Sequence, residues 1–412
     1  MTRPIWVNVS FPDFCQEYNQ CNSSGSSGVD IILGGGVPAR LFPLVDDDGV
    51  VRYYPQAVIR QMQFPPGQAP ILTGVDILMD FNSQANFWFE GAQPSNETIP
   101  EDYYDFLTVA IHELMHGLGF LSSWSDYLSQ SQPNILTPDV VISNPTSSST
   151  LQFEGFVEYA FDRNLQLTSS PNTYCTNFSQ GMIETFSDEL GCNFSSSSLL
   201  ASTFFSSPAA NYATWMGTNS TTPHSIQQAP PGNIPSYATY NSSNITLGGP
   251  IVLETSFNPY EQGSSLCHVD GGMYSSTQDF LMRYSTPPGR SLQDLVNEFG
   301  DNGDLTYGPF GPGLRYMLAS MGYTVRGGIP TGGSVRSSTS TNSTGTTSSS
   351  SGTSSASDQN SGTRLGNGWM KRRHTSRNGH VGSTEGTRRG VLIHVYLVVV
   401  LVGFIWNLGM EW

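Results

Sequence analysis

Lysine is almost missing from this sequence: of 412 residues, Lys371 is the single one. Charged residues of all kinds reach only 12%, about half the share in an ordinary globular protein. The formal net charge is −16. A chain this poor in cations lacks the basic footprint of a nucleic-acid binder, which argues against that class of partner. After Met1–Trp6 there is no apolar stretch of the kind that forms a signal peptide. The triple glycine Gly34–Gly36 is not followed by Lys-Ser/Thr, so it is not a phosphate-binding loop. Histidine is scarce as well. There are seven, and only His112, His116, His224 and His268 precede residue 334, so any metal site has few imidazoles to choose from.

What is present falls into two regions. Residues 1–333 hold nine Arg and thirty Asp and Glu, a formal charge of −21, whereas residues 334–412 come to +5. The acidic part reads as the folded body. Nine Asn-x-Ser/Thr sequons, at Asn8, Asn22, Asn96, Asn177, Asn193, Asn219, Asn241, Asn244 and Asn342, give it the look of a secreted glycoprotein. The expectation is therefore an extracellular or cell-surface protein whose true start lies upstream. Cys15 with Cys21, and Cys175 with Cys192, are close enough in sequence for local disulfide loops. Cys267 is left over, as a buried thiol or with a partner outside this chain.

Residues 334–357 are three quarters Ser and Thr and cannot bury enough apolar surface to fold. They fit an O-glycosylated stalk. Beyond the basic stretch Lys371–Arg389 comes an apolar run, Val391–Trp406, interrupted by His394. This reads as a glycosylphosphatidylinositol signal following the small residues Gly382-Ser383-Thr384, with a single membrane-spanning helix as the alternative. The expected division is a body over 1–326, a disordered stalk over 327–390 and a hydrophobic membrane anchor or signal over 391–412.

The body reads as α+β. Ile5–Phe11, Val29–Leu33 and Gly74–Phe81 are strand candidates. The clearest helix is expected over 99–117, with Thr98 and Glu101 as a capping box and Pro100 in the first turn. Phe106, Val109, Ala110 and Leu114 recur at helical spacing, and Gly117 or Gly119 ends it.

That helix carries His112-Glu113-Leu114-Met115-His116. Spacing of four residues puts both imidazoles on one face, one turn apart, where they can share a metal ion. Glu113 beside them is placed to take a proton from an activated water. A catalytic zinc site needs a third protein ligand. His224 lies in the polar loop Thr221–Ser225; His268 lies in Leu266–Gly272, ahead of Asp279-Phe280-Leu281-Met282.

His112-Glu113-x-x-His116-x-x-Gly119-Phe120, with a later His and then a Met, resembles the metzincin clan of zinc endopeptidases. The resemblance covers about residues 70–325. It implies a small twisted sheet and an active-site helix above an irregular C-terminal subdomain, with a substrate cleft near residue 120. Most metzincins supply the third His three residues after the Gly, but Ser122 stands there. Leishmanolysin-type members supply it only after a long insertion, and this chain is similar to them. The resemblance then makes His268 the third Zn2+ ligand, Met282 the Met-turn residue and Glu113 the catalytic base. Met282-Arg283-Tyr284 is also similar to the Met-x-Tyr of some metzincins, which makes Tyr284 a further catalytic candidate. The substrate would be a protein or peptide. Two alternatives stand beside this. Glu158-Tyr159-Ala160-Phe161-Asp162 has the Glu-x-x-x-Asp form that supplies a ligand in gluzincins, with Glu158 otherwise an ordinary charged residue on an amphipathic helix. A non-catalytic surface glycoprotein on a protease-like fold is the competing class; the intact His112, Glu113 and His116 speak against it.

Overall fold

A computed structural model describes residues 4–18, 31–90, 98–129, 135–143, 150–228, 250–299, 308–323 and 363–364. The fold is mixed α and β, with small sheets. In chain order the strands are β1 (Val7–Ser10), β2 (Gly34–Pro38), β3 (Leu41–Val45), β4 (Val51–Pro55), β5 (Ile77–Phe81), β6 (Phe87–Trp88), β7 (Tyr104–Asp105), β8 (Asp139–Ser143) and β9 (Leu151–Tyr159). They continue with β10 (Leu165–Leu167), β11 (Asn193–Phe194), β12 (Ile226–Gln228), β13 (Ile251–Val252), β14 (Ser285–Thr286) and β15 (Thr363–Arg364).

The first sheet has the order β1-β5-β2, with β1 parallel and β2 antiparallel to β5. The second runs β11-β9-β4-β3, with β8 also pairing β9. The third is β10-β12-β13. One buried hydrophobic cluster extends from Leu33 to Tyr323 and includes residues of all three sheets. At its centre lies the helix Phe106–Gly117, of which every residue except Leu107 is buried. It packs on β2 and β5. An all-round buried helix needs few polar residues, and this one has only those of the site and Thr108.

The helix begins later than the capping box implied. Glu101 and Asp102 lie in a turn, and Tyr104–Asp105 forms β7 beside β6. Asp105 is the N-cap: its carboxylate accepts from Leu107 N at 3.2 Å and from Thr108 Oγ1 at 2.8 Å. It also accepts from Leu292 N at 2.6 Å, at the start of the helix Leu292–Phe299. This long-range bond decides the start over the local signal at Thr98. The strand expected at Val29–Leu33 also shifts. Residues 31–33 are not in a strand, and β2 begins at the triple glycine.

Glu158 lies on β9, not on a helix. Opposite it, Arg52 on β4 is fully buried and pairs with Asp46 at 2.7 Å, Asp48 at 2.9 Å and Glu158 at 3.4 Å. The cysteine pairing expected for Cys175 and Cys192 is absent: both are free thiols. Cys175 faces the core from the cap of the helix Thr176–Thr185, whereas Cys192, half-buried, approaches the Asp188 carbonyl at 3.7 Å. Cys21 lies outside the described residues. So do residues 334–357 and Val391–Trp406, the expected stalk and anchor. In the tail, Thr363–Arg364 pairs antiparallel with Ser285–Thr286. No helix among the described residues is long and apolar enough to cross a membrane.

Candidate metal centre

Three segments bring the site together. The first is the helix Phe106–Gly117 itself, which presents His112 and His116. Its end is a glycine-dependent reversal: Gly119 N donates to His116 O at 2.9 Å and Phe120 N to Met115 O at 3.1 Å, with Gly119 at φ +113°. This is the paired-bond C-terminal motif in which only glycine is comfortable. It has a direct consequence for the site, because it turns the Phe120 carbonyl back onto His116 Nδ1 at 2.7 Å.

The second segment carries His268, whose carbonyl accepts from Glu254 N at 2.9 Å and whose neighbour Val269 bridges Leu253. His268 Nδ1 lies 2.9 Å from the Ser264 carbonyl. The third is the 3-10 turn Phe280–Met282. Here the Leu281 carbonyl meets His112 Nδ1 at 2.7 Å, and the fully buried Met282 accepts from Val269 N at 2.8 Å. This turn is thereby tied to both the helix and the His268 segment.

Each imidazole has its Nδ1 against a main-chain carbonyl, so Nδ1 carries the proton and Nε2 is left with a lone pair. The three Nε2 atoms converge. His112 to His268 is 3.1 Å, His116 to His112 is 3.1 Å and His116 to His268 is 3.3 Å. Three lone pairs at this spacing repel unless a cation sits among them. With Zn–N bonds of about 2.0–2.1 Å, two ligands of a tetrahedral zinc stand about 3.3–3.4 Å apart. The donor set therefore fits zinc in chemistry and in spacing. Among the described residues this is the one cluster of three or more metal-ligating side chains. Burial lowers the basicity of all three histidines, which keeps them neutral and able to bind metal.

Glu113 is 1% exposed, and neither carboxylate oxygen has a hydrogen-bond partner. Burial pushes its carboxyl up to about 8; the nearby Gly36 N–H pulls the other way without an aligned hydrogen bond. Burial pushes the Cys267 thiol up, with the charge of Glu113 a lesser contribution. It lies 3.6 Å from His268 Nδ1.

The remaining candidates are not among the three converging imidazoles. His224 is half-exposed, with Nδ1 2.8 Å from Asp270 Oδ2. Glu158 takes hydrogen bonds from Thr176 and Ser179 in addition to Arg52, and is not among the metal-ligating group. The ring of Tyr284 packs edge-on against Phe257 at 4.9 Å and lies beside Gly271. The chain expected to border a cleft, 118–125, is buried throughout. A small pocket next to it is lined by Leu121, Ser122, Trp124, Tyr260, Ser265 and Cys267.

Ser122, where most metzincins have their third His, serves structure. Its Oγ donates to Asp162 Oδ1 at 2.6 Å, and Ser123 N donates to Oδ2 at 2.8 Å. Burial pushes the Asp162 carboxyl up from 3.8 to about 7 against those bonds. Between pH 4 and 7 the native state then holds a proton that the unfolded chain has lost. The contribution of Asp162 is present below that window and is lost as pH rises through it. Denaturant melts should show stability falling by up to about 1.4 kcal/mol per pH unit there. Asp162→Asn should flatten that slope; an unchanged slope would remove Asp162 as its cause.

A protein-family model described as SPBPB7E8-like matches residues 1–357. The Schizosaccharomyces pombe protein PB7E8.01, itself uncharacterized, is 29% identical over 343 residues. The match takes in 79% of this chain and 56% of the yeast protein, so this chain spans little more than half of its relative's length. No solved structure matches.

Proposed function

The chain belongs to the SPBPB7E8-like family, and from the site it carries we propose that it is a zinc-dependent endopeptidase of metzincin type. One observation carries the reading: three Nε2 atoms lie within 3.1–3.3 Å of one another, each fixed by a carbonyl at its Nδ1, and two of them stand on a helix that also bears Glu113. Zinc, when bound, supplies a Lewis acid that acidifies water and polarises a carbonyl. His112, His116 and His268 would hold it. Glu113, unpartnered and one residue from His112, accepts the proton of the attacking water on a carboxylate oxygen and returns it to the leaving amine. Met282, in the turn Phe280–Met282 that meets His112 through the Leu281 carbonyl, would serve as the Met-turn residue. Tyr284, two residues on, is kept as a further candidate for the oxyanion. The Lys-free, sequon-rich body supports an extracellular or cell-surface location, membrane-attached through its tail, with proteins or peptides as substrates.

Glu158 lends the gluzincin alternative no support, since Arg52, Thr176 and Ser179 occupy it. One observation favours a non-catalytic reading: His112, Glu113, His116 and His268 are each at most 1% exposed. A structural zinc, however, normally takes four protein ligands, and three are gathered among the described residues. The test uses the purified full chain on a denatured protein. About one zinc per chain is expected, with cleavage that a chelator removes and added zinc restores. Zinc binding without any cleavage would leave the non-catalytic reading.

A further inference from the structure

Three consecutive glycines make a poor strand, because glycine has no side chain to pack and loses the most backbone freedom. Gly34–Gly36 nonetheless form most of β2. None of them has a positive φ, so conformational freedom does not explain them. Contact does. A Cβ on Gly36 would fall 1.9 Å from the main-chain oxygen of Glu113 and 2.7 Å from its carbonyl carbon. A Cβ on Gly34 would stand 3.2 Å from Glu113 Cγ, 3.1 Å from Phe81 Cδ1 and 3.2 Å from the Asp80 carbonyl oxygen on β5. Strand β2 therefore lies directly on the helix at one residue, with one glycine against its main chain and the other against its side-chain root.

The Glu113 carboxylate accepts no aligned hydrogen bond, and the N–H that acts on it is that of Gly36, so β2 is the element placed to orient it. Glu113 directly follows the ligand candidate His112 on the same helix. We propose that Gly34 and Gly36 are positioning residues, whose missing side chains let β2 clamp Glu113 in the orientation its proton transfer requires. This rests on the endopeptidase reading. A catalytic group displaced by a fraction of an ångström loses rate more than binding.

The informative variant is Gly34→Ala, whose contacts need only a few tenths of an ångström of relief. Gly36→Ala would push the strand off the helix. In the full chain, Gly34→Ala should keep its zinc and lower kcat by roughly 10- to 100-fold, with KM within about twofold. Gly181→Ala is the matched control. Its Cβ would meet the Tyr212 ring at 2.6 Å between two helices away from the site, so it should lower Tm and leave kcat per folded molecule unchanged. An unchanged kcat in Gly34→Ala would overturn the proposal. A second arm needs no activity. The Tm loss caused by Gly34→Ala should shrink in a Glu113→Ala background, where Cγ is gone. Equal losses in the two backgrounds would overturn the clamp. A wild-type chain that binds zinc and cleaves nothing overturns the endopeptidase reading instead, and the Tm comparison then still decides whether β2 holds Glu113.

Discussion

Glu113→Ala is expected to abolish peptide hydrolysis while leaving zinc in place. A positioned base contributes about 10²–10⁴-fold to such a step, so kcat/KM should fall by roughly three orders of magnitude on a denatured protein substrate. Metal should stay, because the carbonyls of Leu281, Phe120 and Ser264 orient the three histidines without help from Glu113. Metal analysis beside a proteolysis assay separates the two effects, and equal proteolysis in both proteins would sink the catalytic assignment. A third measurement sharpens it. A carboxylate buried without a hydrogen-bond partner costs stability, so Glu113→Gln, which keeps the shape, should melt no lower than the wild type. A residue that is costly to the fold and needed for the reaction is what a functional site predicts. If Glu113→Gln instead melts well below the wild type, the ionised carboxylate supports the fold and the argument for a retained functional cost is lost.

The histidine cluster is legible in the sequence because its main signals are local. Two histidines four residues apart on an apolar helix share a face wherever that helix begins, and Gly119 marks the reversal by its backbone alone. His268 was reached through scarcity and family resemblance, since nothing in residues 117–267 says how that long stretch folds back. What failed depended on partners distant in sequence. Thr98 and Glu101 form as good a local cap as Asp105, but only Asp105 meets the N–H of Leu292. Val29–Leu33 has the better strand composition, yet β2 begins at the glycines, where the helix at Glu113 leaves no room for a side chain on Gly34 or Gly36. Glu158 sits at helical spacing with Asp162 but faces a buried Arg52 across two strands. Cys175 and Cys192 are near in sequence, while one faces the core and the other lies partly exposed.

His268→Ala should cost the protein its zinc, and Glu158→Gln should not. The two are the rival third ligands, and the structure gives them opposite surroundings. His268 Nε2 stands 3.1 and 3.3 Å from the other two Nε2 atoms. The oxygens of Glu158 are taken by Thr176, Ser179 and Arg52. Loss of an outer partner of a ligand lowers metal affinity about 10–100-fold, and loss of the ligand itself should exceed that. Zinc per chain after dialysis against a weak chelator should therefore fall close to zero in His268→Ala and stay near one in Glu158→Gln. Stability should move the other way round. Glu158→Gln leaves the Arg52 guanidinium, buried between β4 and β9, short of a counter-charge. Removing one partner of a buried pair costs about 3–5 kcal/mol, and Asp46 and Asp48 remain to offset part of it. Glu158→Gln should thus melt lower with its metal bound, and zinc loss in that variant would return the third-ligand role to Glu158.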